Sequence, residues 1–147
     1  MWDLANPNTP DLELHTQSPL TTIAYNPKLT DQIGAGCYNG LVSIWDVKKG
    51  STPVLTSPVE GSHHDPVTDL HWLGSKTGNE LITSSTDGKA YWWDTRKFSD
   101  GPVDSLNLTD FITTSDSKEE RTVGGTSIEY NTDAGVMFFL LNSQTNS

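Results

Sequence analysis

Cysteine and basic side chains are both scarce in this 147-residue sequence. The single cysteine, Cys37, cannot form an internal disulfide or a cysteine-based zinc site, and its isolation fits a reducing compartment. Nine Lys and Arg stand against nineteen Asp and Glu, which gives a net charge of −10. Because phosphate backbones and anionic membranes attract basic surfaces, we expect no direct binding to nucleic acid or to a membrane.

Long hydrophobic runs and the common catalytic motifs are also missing. The longest apolar run, residues 136–141, is far too short to span a membrane, and the N-terminus lacks the pattern of a signal peptide. Neither a G-x-x-x-x-G-K-S/T phosphate loop nor a G-x-S-x-G nucleophile elbow occurs. Cys37 lies inside a β-prone run and is expected in the core. We therefore expect a soluble intracellular protein that is not an enzyme and needs no cofactor.

A repeated Trp-Asp pair is the strongest positive signal in the sequence. The pairs are separated by 43 and 48 residues, close to the length of one four-stranded propeller blade, and they stand at Trp2-Asp3, Trp45-Asp46 and Trp93-Asp94. One such pair carries no information, but three at nearly equal spacing indicate an internal repeat.

The residues before the second and third pairs repeat as well. A turn pair, Asn39-Gly40 or Asp87-Gly88, lies between two β-prone runs in both "IGAGCYNGLVSIWD" and "LITSSTDGKAYWWD". In both, the Asn or Asp of the turn lies six residues before the Trp. Each of these two motifs is preceded by a similar segment, "SPLTTIAYNP" (18–27) or "DPVTDLHWLG" (65–74). After the third Trp-Asp pair, "GGTSIEYNTDAG" (124–135) follows the same pattern without the Pro. The order predicts four short antiparallel strands in each repeat.

The predicted fold class is all-β, a partial WD-repeat β-propeller of about two to two and a half blades. We expect the end of one blade at 1–14, full blades at 18–57 and 63–108, and the start of a truncated blade at 125–147. Residues 109–124 are expected to form a linker, either a short helix or a solvated loop, and 11–14, 53–56 and 104–108 short outer strands. Since a propeller needs at least four blades, the sequence is interpreted as a fragment, from a truncated gene model or a partial clone.

A buried polar relay is expected in the blade that ends at Trp93. Its predicted members are His63, Ser85, Asp87 and Trp93, which would satisfy each other's hydrogen bonds and hold the strands together. In the preceding blade Cys37 and Asn39 replace the Ser and Asp, and the nearest histidine, His15, is one place out of register. The relay is interpreted as structural, and the residues that bind a partner are left unassigned.

The string "HHDPVTDLH" (63–71) offers a different interpretation. Asp69 and His71 are two residues apart, so on a strand they share a face, and with His63 or His64 they form a possible metal site. A metal-dependent hydrolase built on these four residues is the alternative from another functional class. The competing interpretation is that His63 belongs to the relay and that the others are ordinary turn and strand residues.

Four strings resemble a known family. "GCYNG" (36–40), "SHHDPV" (62–67), "SKTGNE" (75–80) and "STDGKAYWWDTRK" (85–97) resemble the WD-repeat region of axonemal outer-arm dynein intermediate chains, in particular the intermediate chain 2 type. The resemblance covers roughly residues 1–130. It implies a non-catalytic scaffold subunit of a motor complex that supports arm assembly and motility.

The implied partners are the dynein heavy chain and other intermediate and light chains, and the implied locations are the cytoplasm, the cytoskeleton and the axoneme of a cilium or flagellum. No direct tubulin contact is expected, because the acidic microtubule lattice repels an acidic chain. Another WD-repeat adaptor, of a ubiquitin-ligase or chromatin complex, remains the alternative of the same broad class.

Overall fold

A computed structural model describes residues 4–5, 8–113, 118–122, 124–131 and 136–142. Two four-stranded antiparallel sheets dominate it, with the strands of each sheet in chain order. Sheet A consists of β1 Leu20–Tyr25, β2 Gln32–Cys37, β3 Val42–Asp46 and β4 Leu55–Thr56. Sheet B consists of β5 Val67–Trp72, β6 Glu80–Ser85, β7 Lys89–Asp94 and β8 Asp104–Asn107. Both sheets fall inside the two segments that were predicted as full blades.

Two antiparallel strand pairs follow sheet B, and two 3₁₀ turns precede and interrupt it. The pairs are β9 Thr109–Thr113 with β10 Lys118–Thr122, and β11 Gly124–Asn131 with β12 Val136–Asn142. The 3₁₀ turns span Val59–Gly61 and Thr95–Asp100. Within the described part of the chain no helix is long and apolar enough to cross a membrane.

The hairpin turns form where the sequence predicts them, with one difference in backbone conformation. Gly40 and Gly88 have φ angles of +86° and +79°, whereas no described non-glycine residue has a positive φ. Asn39 and Asp87 therefore do not share the positive φ that a two-residue turn requires. Instead each turn closes with a hydrogen bond from the glycine N–H to the carbonyl three residues earlier, as in three-residue loops that end on a left-handed glycine.

Sheet A packs face to face on sheet B through an apolar core. Alternate residues of β3, Val42 and Ile44, point into this core together with Trp93 of β7, while Ser43 and Trp45 point to the other side of sheet A. The Trp72 indole N–H donates to the Ala24 carbonyl across the interface at 3.1 Å. The two sheets are therefore joined by both apolar contacts and a specific hydrogen bond.

A β-bulge recurs in the first strand of each repeat. The strand register shifts between positions 20 and 22 in β1, 67 and 69 in β5, and 125 and 127 in β11. The Thr21 hydroxyl in the first bulge contacts the Val67 carbonyl of the next bulge, and the Thr68 hydroxyl contacts the Gly125 carbonyl in turn. The repeat thus continues into β11, where the sequence has "GGTS" in place of a Pro-containing start.

Two segments fold differently from the prediction, and one predicted pair lies outside the described residues. Residues 11–14, expected as an outer strand, contain no strand. Residues 109–124 were expected as a helix or solvated loop, but their described backbone forms β9, β10 and the first residue of β11. Trp2 and Asp3, which mark the first repeat, lie outside the described residues.

Candidate functional site

A chain of hydrogen bonds runs through the buried interior of sheet B. The Trp93 indole N–H donates to the Thr83 hydroxyl oxygen at 2.9 Å, and that hydroxyl lies 2.8 Å from His63 Nε2. His63 Nδ1 lies 3.1 Å from a carboxylate oxygen of Asp87. Because an indole N–H can only donate, the simplest order has Thr83 donating to Nε2 and the Nδ1–H donating to Asp87. This group of four residues is called the polar chain below.

Asp87 closes the polar chain at the hairpin turn. Its carboxylate also accepts the backbone N–H groups of His64 at 3.2 Å and Lys89 at 2.9 Å, and its side chain is 7% exposed. Burial opposes ionisation, but the hydrogen bond and electrostatic attraction of His63 and the two backbone N–H groups outweigh it, so the pKa of Asp87 is lowered from 3.8. The ionised carboxylate of Asp87 therefore stabilises the folded state.

The pH dependence of stability should report this carboxylate. Because its pKa is lower in the folded chain than in the unfolded chain, its contribution is present above about pH 4 and is lost as the pH falls through the folded pKa. We expect Asp87→Asn to destabilise the chain by about 1–3 kcal/mol at pH 7. Urea unfolding from pH 7 to pH 3 should show that the difference in the free energy of unfolding between the variant and the wild type becomes smaller below pH 4. A difference that stays constant down to pH 3 would contradict this assignment.

The structure gives the hydroxyl position of the relay to Thr83 and not to Ser85, which corrects the sequence prediction. Leu81 pairs with Trp93 across the ladder, so Thr83 is two residues from that pair and Ser85 four. Only the nearer side chain is within diagonal reach of the indole. The Ser85 hydroxyl instead shares its hydrogen between the carbonyls of Asp65 and Pro66, at 3.2 and 2.9 Å, and its oxygen accepts the Asp87 backbone N–H at 3.3 Å.

The corresponding positions of sheet A form no such chain. Ala35 stands where sheet B has Thr83, so the Trp45 indole N–H donates to the Ser51 carbonyl at 3.2 Å. Cys37 is buried, and its Sγ lies 3.9 Å from the Thr16 hydroxyl. His15 donates its backbone N–H to the same Ser51 carbonyl.

The aspartates of the two described Trp-Asp pairs have an equivalent local role. Asp46 accepts the backbone N–H of Lys48 at 3.0 Å, and Asp94 accepts that of Arg96 at 2.9 Å. Each therefore caps the turn that follows its strand. The preceding tryptophans, at 0% exposure, are among the most deeply buried side chains of the two sheets.

The four residues of the possible metal site do not come together. His63 belongs to the polar chain on the side of sheet B that faces sheet A, and His64 is exposed. Asp69 and His71 do share a face, but it is the opposite one. There an Asp69 carboxylate oxygen accepts the Ile128 N–H at 2.8 Å, and the His71 ring lies edge-on to Tyr130. Among the described residues no group of three or more His, Cys, Asp or Glu is placed to hold a metal ion.

Asn26 is an important polar residue that the sequence reasoning missed. It is 1% exposed, and its amide N–H donates to the Gly78 carbonyl of the β5–β6 loop at 2.7 Å. Its side-chain oxygen accepts the N–H groups of Lys28 and Leu29, so one amide shapes its own loop and joins it to the neighbouring sheet. The Asn-Pro pair after the strand predicts the turn. The sequence contains no pattern that predicts the contact with Gly78.

Stacked four-stranded sheets, each carrying a buried Trp followed by a turn-capping Asp, define a partial WD-repeat β-propeller. In agreement, a solved structure of the Cps50 (Swd1) β-propeller domain of Myceliophteria thermophila matches 86% of this chain and 50% of that one, with a TM-score of 0.59 and 14% identity. At that identity the match shows the fold alone. The predicted fold class is therefore confirmed. No family profile matches the sequence.

Curated proteins identify the relatives. The chain is 41% identical over 144 residues to the 70 kDa intermediate chain of the flagellar outer-arm dynein of Chlamydomonas reinhardtii, covering 98% of this chain and 24% of that protein. It is 46% identical over 130 residues to ciliary dynein intermediate chain 3 of Heliocidaris crassispina, covering 88% and 21%. It is 41% identical over 144 residues to human dynein axonemal intermediate chain 2, covering 98% and 23%.

Over nearly its whole length the chain is thus homologous to axonemal dynein intermediate chains, and the resemblance predicted from the sequence is confirmed. The chain spans about a quarter of the length of these relatives.

Proposed function

We propose that this chain is a non-catalytic scaffold segment of an axonemal outer-arm dynein complex. The observation that carries the proposal is the 41% identity, over 98% of the chain, to an intermediate chain named for the flagellar outer arm. The same name supports placement in the axoneme of a cilium or flagellum and, more broadly, in the cytoskeleton and cytoplasm. Binding to the dynein heavy chain, with a role in arm assembly and motility, is the finer part of this proposal.

The chemistry of sheet B supports a structural role for its polar residues. Every member of the polar chain has its hydrogen-bonding partner inside the same sheet or in the adjoining loops. Among the described residues no buried side-chain nitrogen or oxygen lacks a partner. The His63 side chain is 0% exposed and both its ring nitrogens are engaged within the fold, which supports a role in stability.

The partner assignment is tested by affinity capture from ciliated cells. We expect an epitope-tagged version of the full 147-residue chain to recover dynein heavy chains, identified by mass spectrometry, at a level well above an untagged control. The matched control is the Gly40→Ala chain, whose contact between sheet A and the His63 segment is expected to be weakened. Recovery of ubiquitin-ligase or chromatin subunits in place of dynein chains would favour the other class of WD-repeat adaptor.

A further inference from the structure

Four loops at one end of the two sheets hold most of the cations of the chain. Because antiparallel strands follow one another in each sheet, the first and third connections of a sheet lie at the same end. Six of the nine Lys and Arg lie in these loops, but only two of the nineteen Asp and Glu, so the loops carry a net charge of +4 in a chain whose total is −10. The loops, called the basic end below, span 26–31 and 47–54 in sheet A and 73–79 and 95–103 in sheet B, and their exposed cations are Lys28, Lys48, Lys49, Lys76, Arg96 and Lys97.

Polar contacts join the four loops into one continuous surface. In sheet A the Asp31 carboxylate pairs with Lys48 of the other loop at 2.7 Å. In sheet B the Thr95 N–H donates to the Asn79 carbonyl at 2.8 Å. The hydrogen bond from Asn26 described above connects the loops of the two sheets. A partner that meets one of these loops therefore lies within reach of the others.

The cations project further into solvent than the aspartates that they pair with after each Trp-Asp strand. The Lys49 side chain is 69% exposed and that of Asp46 22%, at an N–O distance of 4.0 Å. The Arg96 side chain is 59% exposed and that of Asp94 13%, at 2.8 Å. Both aspartates also accept a backbone N–H of the turn, which keeps them close to the chain. At these pairs the surface that a partner meets is therefore positive.

The other cations of the basic end have no carboxylate partner among the described residues, and they are Lys28, Lys76 and Lys97. Further carboxylates lie at this end without pairing with them, and they are Glu80, Asp100 and Asp104. A Cβ on Gly78 would lie 2.9 Å from the Cβ of Lys28, so this lysine of sheet A packs beside the loop that carries Lys76 of sheet B. Unpaired ammonium groups on adjoining loops raise the local positive potential.

Packing between repeats leaves the basic end uncovered. Sheets A and B contact each other through their faces, as the hydrogen bond from Trp72 to Ala24 illustrates, whereas the loops lie at the ends of the strands. Lys28 and Lys76 stay exposed at the junction of the two packed sheets. The exposure of the basic end therefore follows from the way in which the repeats stack and not from the number of repeats.

We propose that the basic end binds an extended acidic segment of a partner protein, in which several Asp or Glu side chains follow one another. Their carboxylates match the unpaired ammonium groups, and an extended segment reaches cations of several loops. Nucleic acids and membranes carry large negative fields that repel a chain with a net charge of −10. A short acidic segment responds mainly to charges within about 10 Å at 0.1 M salt, where the cations dominate. The site does not depend on which complex the chain belongs to.

Fluorescein-labelled decaglutamate is the probe, and fluorescence anisotropy with the full 147-residue chain measures its binding. We expect a dissociation constant on the order of 0.1 mM at about 20 mM salt. Binding should be about fivefold weaker or more at about 300 mM salt, because salt screens exposed charges. Labelled decaserine, which carries no side-chain charge, should not bind. A labelled deoxythymidine decamer presents phosphates in place of carboxylates and should bind more weakly than decaglutamate.

NMR spectra of the wild-type chain locate the site without any variant. Unlabelled decaglutamate should shift the backbone amide signals of the four loops of the basic end. The signals of the Asn39-Gly40 and Asp87-Gly88 turns, at the opposite end of the sheets, should stay in place. No shifts at about 1 mM peptide, ten times the expected constant, or shifts confined to those two turns would overturn the proposal.

A double variant, Lys76→Gln with Lys97→Gln, removes two unpaired cations and should weaken decaglutamate binding about fivefold or more. The matched control is Lys89→Glu, which lowers the net charge by the same two units at the opposite end of sheet B. It should change the dissociation constant by less than about twofold, since only the long-range field is altered. Equal weakening by the two changes, or tighter binding of the deoxythymidine decamer than of decaglutamate, would overturn the proposal.

Discussion

Replacement of Gly40 by alanine is expected to lower the free energy of unfolding by about 2–5 kcal/mol. Gly40 has a φ of +86°, a conformation that an L side chain adopts only at a cost. In addition, a Cβ at this position would lie 2.0 Å from the carbonyl oxygen of His63 and 3.0 Å from that of Asp65. Both atoms belong to the backbone, so neither can rotate away. Urea unfolding followed by tryptophan fluorescence measures the loss.

Gly50→Ala is the matched control for this prediction. Gly50 also has a positive φ, +110°, but a Cβ there would meet nothing within 4 Å. It should therefore show the conformational cost alone, about 1–2 kcal/mol. If the two variants are equally stable, the close approach between the Asn39-Gly40 turn and the segment before β5 does not hold the sheets together.

Thr83→Val should destabilise the chain by about 2–4 kcal/mol, although it preserves the shape of the side chain. The hydroxyl is the acceptor for the Trp93 indole N–H and the partner of His63 Nε2, and both would be left buried without a hydrogen bond. Thr83 is 0% exposed, so water cannot replace the lost group. The free energy of unfolding from a urea titration gives the effect directly.

The hydroxyl, and not the methyl group, should account for this loss. Thr83→Ser keeps the hydroxyl and removes one methyl, so its cost should be about 1 kcal/mol. Ser85→Ala provides a comparison, because the Ser85 hydroxyl contacts only backbone groups, of Asp65, Pro66 and Asp87, and no side chain of the polar chain. If Thr83→Val and Thr83→Ser prove equally damaging, the polar chain contributes little beyond packing.

The main architecture could be predicted because it rests on local signals. Two turn glycines, Gly40 and Gly88, and two tryptophans at a fixed distance after them set the hairpins and their register. The sheet face of each tryptophan then follows from the two-residue period of a strand. Three of the four polar-chain residues were also predicted, since their spacing relative to the turn is part of the repeat.

The remaining features depend on contacts between residues that are far apart in the chain. Thr83 and Ser85 share one face of β6, and only the ladder with β7 decides which of them reaches Trp93. The contact of Asn26 with Gly78 spans two loops of different sheets. Residues 109–113 and 118–122 lack the alternation that marks a half-buried strand, so the pairing of β9 with β10 was not visible in the sequence.

The bulge threonines have a consequence for how the chain is assembled. Thr21 reaches forward to Val67, and Thr68 reaches forward to Gly125, so each hydroxyl is provided by the earlier repeat and each carbonyl by the later one. The sequence separation of these contacts is about one repeat, however many repeats follow. During synthesis on the ribosome, every new sheet therefore meets a donor that is already in place, and docking can proceed one repeat at a time from the N-terminal side.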